Sequence, residues 1–340
     1  GAAQQLRKLM QVYRYLDGLY VDEVEMGPLV ESAIEGMLEE LDPHSAYIGA
    51  EDMKGVQESF DGEFSGIGVE FNVLRDTVIV VNTIAGGPAE RVGVRANDRI
   101  VRIDTLDAVG MSRTDVPKHL RGKTGTKVRI DVVRHGTPGR LHFVIVRDKI
   151  PLNTVDAAYR VSDSVGYIKI RQFDGSTPSE LDYAIRSLTA SGAQSFVFDL
   201  RDNGGGILDD AISCINLIVP EGTVAYAEDK NGNRTVVGSS DSETETALPL
   251  VCLVNGSTAS AAELFAASLR TMSGARLVGT TTMGKGTIQS SPQRLSDGSA
   301  VVITVAKLVC GDGSCFDGTG LTVDVERPLT ADEQIAYYDY

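Results

Sequence analysis

The chain has 340 residues, 42% of them apolar and 23% charged, which is enough for two or three domains with real cores. A formal charge of −15 at pH 7, with no basic patch to offset it, argues against a nucleic-acid partner. No apolar run reaches the roughly 18 residues of a membrane span, Gly1–Gln5 lacks the features of a signal peptide, and four cysteines do not make a disulfide scaffold.

Residues 3–45 read as helical. Leu6, Leu9, Met10, Tyr13 and Leu16 recur at helical spacing, Val21–Glu25 turns, and a second periodic segment runs from Leu29 through Ala33, Met37 and Leu41 until Pro43 ends it. The apolar face of these short helices is expected to pack on the next unit or on a second copy of the chain. His44, in Leu41-Asp-Pro-His-Ser45, reads as a capping or surface residue.

Residues 62–148 read as a separate unit of short strands and two helices. Phe64 to Phe71 is a glycine-opened strand, followed by strands at Thr77–Val81, Asp98–Ile103, Lys127–Val133 and Leu141–Val146. Short helices fall at Gly87-Pro-Ala-Glu-Arg-Val-Gly93 and near Thr114–Leu120. The N–H groups of Gly66-Ile67-Gly68 can receive a terminal carboxylate, and the strand opening at Val69 can pair with an extended peptide. Val116 and Leu120, four apart, would line the apolar pocket; the plainer reading is a tight turn.

From Val165 the pattern alternates strand and helix: Val165–Ile170, Thr177–Thr189, Phe196–Leu200 and Ile207–Ile218. The third of these empties into Arg201-Asp-Asn-Gly-Gly-Gly206, a place where backbone N–H groups can face a ligand. Asp199 and Asp202 have no His or Glu nearby, so ion pairing or capping fits them better than a metal. Residues 223–247 read as polar strands with a mobile loop, Ser239–Glu245, near the cleft. Ser299–Leu308 reads as one strong strand. Cys214 and Cys252 read as buried thiols, whereas Cys310-Gly-Asp-Gly-Ser-Cys315 suits a hairpin tip across which the two cysteines could pair.

Two further segments carry chemistry. Leu250–Val254 is a short buried strand broken by Asn255-Gly256, and a helix follows from Ala261 to Leu269, so Ser260 sits where strand turns into helix. Free N–H groups and the positive helix end there can stabilise an oxyanion. None of the four histidines lies beyond His142, which leaves a lysine as base. Lys285 stands between Gly284 and Gly286, and Gln289 could hold its amine. Alone, each segment also reads as an ordinary turn with a serine N-cap. Gly279 to Lys285 has Walker A spacing but then fails, because Gly286 replaces the Ser/Thr and no helix pattern follows; no nucleotide is expected.

Asn255-Gly-Ser-Thr-Ala-Ser-Ala-Ala-Glu263 with Gly284-Lys-Gly-Thr-Ile-Gln289 resembles the signature of the carboxyl-terminal processing (tail-specific) proteases, PDZ-containing serine peptidases with a Ser/Lys dyad. Thr258 replaces the first serine of that core and Ala262 a later one. Leu41–Ser45, Gly87–Gly93, Arg121–Gly125 and Asp297–Ala306 are similar to the same family, with Asn97 where a glycine is usual and Gly204 where a proline is; after Leu308 the likeness weakens.

The resemblance implies an α+β / α/β multidomain chain: an N-terminal helical region at 1–60, a PDZ domain (a small β-barrel with two helices) at 61–148, and an α/β crotonase-like protease core at 149–340. It implies Ser260 as nucleophile, Lys285 as general base and Gln289 as its support, with an oxyanion hole from Gly205 or Gly206 and Ala261. Gly66, Ile67, Gly68, Val69, Val116 and Leu120 would form the peptide groove. It further implies protein or peptide substrates with free C-termini, no metal or cofactor, and export to the periplasm or cell envelope. A homodimer through the terminal helices, and membrane association through a segment absent from this chain, are compatible with it. The alternative is a catalytically silent PDZ-containing adaptor on a protease fold.

Overall fold

The computed structural model describes residues 1–53, 63–84, 86–151, 153–242 and 249–338. Within them two apolar clusters share no residue. One lies between Ile67 and Ile145, the other between Ile168 and Leu321.

The larger cluster surrounds a six-stranded sheet ordered Val155–Arg160, Val165–Ile170, Ser195–Asp199, Leu250–Val254, Arg276–Gly279, Val325–Glu326. The first pair is antiparallel and the rest are parallel. Strands covered on both faces need unbroken apolar runs, as at Phe196–Phe198 and Leu250–Val254. Helices Thr177–Ala190, Leu208–Asn216 and Ala261–Ser273 connect them. In the last of these every residue from Ala261 to Leu269 is buried, and four alanines there let neighbours approach its backbone. Phe173 and Phe198 meet Phe265 with ring centroids 5.5 and 5.6 Å apart, anchoring that helix over the sheet.

A second, antiparallel sheet runs Arg234–Ser240, Gly222–Glu228, Thr304–Cys310, Thr287–Gln289. The strand expected over Ser299–Leu308 is interrupted at Ile303. Ala300–Val302 pairs with Ala46–Ile48 and Gln293–Arg294, whereas Thr304–Cys310 turns to different partners. Residues 243–245 of the loop expected at Ser239–Glu245 lie outside the described residues. Cys310 and Cys315 are both free thiols, the first buried and the second exposed. Cys214 and Cys252 are buried, and burial pushes the Cys252 thiol up to about 12.

The smaller cluster fills a sheet ordered Val69–Leu74, Thr77–Thr83, Arg99–Ile103, Lys127–Val133, Leu141–Val146, with helices Pro88–Arg91 and Val116–Leu120. Asn97 adopts a φ of 68°, the left-handed conformation that asparagine tolerates best after glycine. At the N-terminus, helices Ala2–Leu19 and Met26–Glu39 precede the strand Ala46–Ile48. The first helix buries none of its residues, so the stripe of Leu6, Leu9, Met10, Tyr13 and Leu16 faces outward.

Candidate active site

Three loops leave the carboxyl ends of three adjacent parallel strands: Arg201–Gly206 after Asp199, Asn255–Ser260 after Val254, and Thr280–Lys285 after Gly279. In open parallel sheets this is where ligands bind. Strand order thus gathers residues as far apart in the chain as Arg201 and Lys285.

Ser260 is half-buried at the N-cap of helix Ala261–Ser273, with φ 57° and ψ −121°. A non-glycine residue held there carries strain of order 1–3 kcal/mol, so its surroundings must impose it. They do so through hydrogen bonds. Thr258 Oγ1 donates to Leu200 O at 2.8 Å, Ala259 N–H donates to Asn203 O at 3.0 Å, and Asn255 Oδ1 accepts the N–H groups of Asp202 and Ser257. Thr258 therefore keeps the hydroxyl of the serine it replaces, and Ala262 is buried in the core.

Glu263 is the group that sequence reasoning passed over. Fully buried, its carboxyl accepts the Ser260 N–H (2.9 Å) and the Lys285 N–H (2.9 Å) on Oε2, and the Gly284 N–H (2.7 Å) and Thr282 Oγ1 on Oε1. One side chain thereby fixes the backbone of both Ser260 and Lys285. The Ser-x-x-Glu spacing of a capping box was the available signal.

Gly205 (φ 100°) brings its Cα against Ser260: a Cβ there would lie 2.9 Å from Ser260 Cβ and 3.0 Å from Ala261 N. At Gly206 (φ 138°) a Cβ would sit on Phe173 O. Of the two, Gly205 donates its N–H to Asn203 Oδ1 at 2.8 Å. The N–H groups of Gly206 and Ala261 have no acceptor among the described residues. Gly205 O is bonded to Phe173 N, and a trans peptide points the Gly206 N–H the opposite way, away from Phe173. Asn203, fully buried, also donates Nδ2 to Ile170 O at 2.9 Å and so ties the glycine loop to the neighbouring strand.

Lys285 is half-buried, and its ammonium group has no hydrogen-bond or ion-pair partner among the described residues. It is not bonded to Ser260 Oγ or to Gln289. Gln289 Nε2 instead donates to Thr287 Oγ1 at 2.8 Å and Thr304 Oγ1 at 3.2 Å. Thr280–Lys285 leads into a strand rather than a helix, so no phosphate-binding helix end follows Lys285. Asp199 is ion-paired, as expected. It takes both Arg201 Nε (2.9 Å) and Nη2, and accepts Tyr167 Oη at 2.6 Å. Burial works against its charge, but the bonds from Arg201 and Tyr167 prevail and hold its pKa below the ordinary carboxyl value.

In the smaller unit an apolar cleft is lined by Ile67, Gly68, Val69, Phe71, Pro117, Leu120 and Arg121. The N–H groups of Ile67 and Gly68 have no acceptor among the described residues, while both carbonyls are bonded, to Ala89 N and Ile84 N. Two expected residues fall elsewhere. Val116 opens a one-turn helix whose first residue faces the sheet, and it is fully buried in the core, so Pro117 lines the cleft beside Leu120. Gly66 is not in the lining; it closes the strand Glu63–Gly66, paired with Asp148.

Comparison with known proteins adds to this geometry. Residues 1–52 match the family model described as the activating protease CtpB N-terminal domain, 65–142 that of the PDZ domain, and 164–327 that of peptidase family S41. A carboxy-terminal processing protease of Bacillus subtilis is 36% identical over 334 residues, covering 98% of this chain and 71% of the relative. The chain belongs to the S41 carboxy-terminal processing proteases. It is thus a serine-type peptidase with a PDZ domain. A probable CtpA-like serine protease of Staphylococcus aureus is 34% identical over 94% of this chain, which spans 64% of that relative's length. Among solved structures, a photosystem II D1 C-terminal processing protease matches with a TM-score of 0.56 and 28% identity, over 94% of this chain and 92% of that one.

Proposed function

We propose that this S41 peptidase is an endopeptidase that takes the C-terminal tail of protein substrates in its PDZ groove and cleaves with Ser260 as nucleophile and Lys285 as general base. The observation that carries this reading is Glu263, whose single oxygen Oε2 holds the N–H of both residues. In the reaction Ser260 Oγ attacks the scissile carbonyl while the neutral Lys285 amine accepts its proton. The oxyanion is received by the N–H groups of Gly206 and Ala261, with Gly205 setting their approach. Lys285 then protonates the leaving amine and activates the water that hydrolyses the acyl-enzyme. Gln289 orients Lys285 through Oε1, since its Nε2 is already engaged.

The groove reading rests on the free N–H groups of Ile67 and Gly68 beside the apolar wall of Phe71, Pro117 and Leu120. We take the units to run over 1–60, 61–148 and 149–340, a division supported by the two separate cores. Export to the periplasm or envelope follows from kinship with the processing proteases; no helix among the described residues is long and apolar enough to cross a membrane. The outward stripe of helix Ala2–Leu19 supports a homodimer, to be checked by sedimentation of a Leu9→Glu/Leu16→Glu variant.

The deciding experiment incubates an unstructured protein with an apolar C-terminus with wild type, Ser260→Ala and Lys285→Ala, and maps fragments by mass spectrometry. Cleavage by wild type alone supports the dyad. Tight binding of the tail without cleavage by any form points to a silent adaptor, and cleavage by Ser260→Ala removes the assignment.

A further inference from the structure

Leu41-Asp-Pro-His-Ser45 lies far in sequence from the peptidase residues, yet its carboxyl reaches Thr304, on the strand paired with Thr287–Gln289. Asp42 Oδ1 accepts the N–H groups of His44 (2.8 Å) and Ser45 (2.9 Å) and the hydroxyl of Thr304 (3.1 Å); Oδ2 accepts Ser45 Oγ at 2.7 Å. Ser45 Oγ in turn accepts the Thr304 N–H at 3.1 Å. Thr304 also receives Gln289 Nε2, across the pair in which Gln289 and Thr304 are register partners.

The direction of these bonds follows from the groups themselves. An ionised carboxyl only accepts, so the one hydroxyl proton of Thr304 goes to Asp42, and toward Gln289 the Thr304 oxygen can only accept. It therefore admits the amide NH2 and rejects the amide oxygen. Thr287 Oγ1 takes the same nitrogen on the other side. Gln289 Oε1 is left without a partner among the described residues. Thr287 and Gln289, two apart on the strand Thr287–Gln289, share one face of it, and Lys285 stands two residues before that strand.

We propose that Asp42, acting through Thr304, is a positioning residue of the peptidase site: it fixes the Gln289 carboxamide with its nitrogen outward and its Oε1 toward Lys285. The inference rests on the reading of Lys285 as base and Gln289 as its support. It gives the N-terminal segment a part in turnover that is separate from substrate binding. The hydrogen bonds that Asp42 receives outweigh its modest burial and hold its carboxyl below the usual value, so it stays acceptor-only at neutral pH.

The test uses the full chain and a fluorescence-quenched, unstructured peptide with an apolar free C-terminus. Thr304→Val, which keeps the shape but loses the hydroxyl, is expected to lower kcat about tenfold with KM little changed, as for a contact that matters only in the transition state. Thr304→Ser restores kcat. Asp42→Ala resembles Thr304→Val, and Asp42→Asn, still able to accept at Oδ1, retains more activity. Because the effect passes through Gln289, Thr304→Val adds no further loss in a Gln289→Ala background. A full tenfold loss in that background, or wild-type kcat in Thr304→Val, overturns the proposal; so does wild-type kcat in Gln289→Ala. Persistent activity in Lys285→Ala would instead remove the dyad reading itself. If Asp42→Ala does not fold, the Thr304 and Gln289 series decides alone.

Discussion

The molecule presents backbone N–H groups at two glycine turns, and the two are built differently. At Ile67-Gly68 the free donors sit beside an apolar cleft, and the turn is held by its own carbonyls bonded to Ile84 and Ala89. At Gly206 and Ala261 the donors stand over a strained serine, held by buried Asn203 and Glu263 and by hydrogen bonds from three strand ends. On the proposed reading, the first turn meets a carboxylate that is fully charged in the ground state, so modest adaptability does no harm, whereas the second meets charge only as it develops. A turn that meets charge only as it develops must be fixed beforehand, because reorganisation during the reaction adds to the barrier. Among the described residues, buried polar side chains bond the backbone of the second turn, and no side chain bonds the N–H or carbonyl groups of Ile67 and Gly68.

The most severe way to erase that difference is at Glu263. Glu263→Ala leaves four donors facing a cavity and is expected to cost more than about 3 kcal/mol of stability, since each unsatisfied buried group costs roughly 1–3 kcal/mol. Glu263→Gln keeps the volume but can accept on one oxygen only. It should fold and lose on the order of 10²-fold in kcat through misplacement of Ser260 and Lys285, read by steady-state kinetics alongside thermal unfolding.

Next in size is Tyr167→Phe, which removes the hydroxyl bonded to Asp199 beneath the glycine loop. A hydrogen bond to a charged group contributes about 1.5–3 kcal/mol. The pKa of Asp199 is lowered by folding, so its contribution is present above the unfolded value near 3.8 and is lost as pH falls through the lower folded value. The difference between wild type and Tyr167→Phe in urea unfolding should thus be constant from pH 7 to 5 and shrink below about pH 4. A difference unchanged at pH 3 would mean that the bond to ionised Asp199 is not its source.

At the binding turn the effect should be smaller and confined to affinity. Phe71→Ala, at a half-buried position of the apolar wall, removes contact area for the ligand and should weaken binding of a labelled peptide with an apolar C-terminus by roughly tenfold or more in polarisation titrations. Turnover of a peptide too short to span both sites should not change. Equal loss on long and short peptides would mean that the groove and the peptidase loops are not separable.

How much of this was legible in the sequence depends on the kind of information each feature needs. Ser260 at a strand–helix junction, the glycine loop after Asp199 and the αL turn at Asn97 are local, and the sequence pattern suffices for them. The break at Ile303 was not visible, because a continuous run of strand-forming residues says nothing about which sheet each half will join. Val116 was misplaced because i, i+4 spacing puts Val116 and Leu120 on one face without saying how far each end of that face turns into the core, where Val116 is the more deeply buried. Glu263 showed locally as a capping box, but its hold on Thr282, Gly284 and Lys285, like the reach of Asn203 to Ile170 and of Asp42 to Thr304, depends on residues that topology delivers from elsewhere and appears only with the fold. Family likeness located the chemistry, and three-dimensional pairing supplied the reasons for it.

The smallest effect expected concerns Gly204, where the related proteases usually carry proline. It differs from its two neighbours. It is exposed, its φ is not in the left-handed region, and an added Cβ would meet nothing within 4 Å. Gly205 and Gly206 cannot be replaced without a clash, but at Gly204 the absent side chain only enlarges the conformational freedom of the unfolded chain. Gly204→Ala should therefore raise stability by about 0.4–1 kcal/mol, measured by urea unfolding, with kcat and KM unaltered. If Gly204→Ala instead lowers kcat while Gly205→Ala does not, then the rigid contact with Ser260 has been placed at the wrong glycine, and the contrast between the two turns would need to be drawn again from that residue.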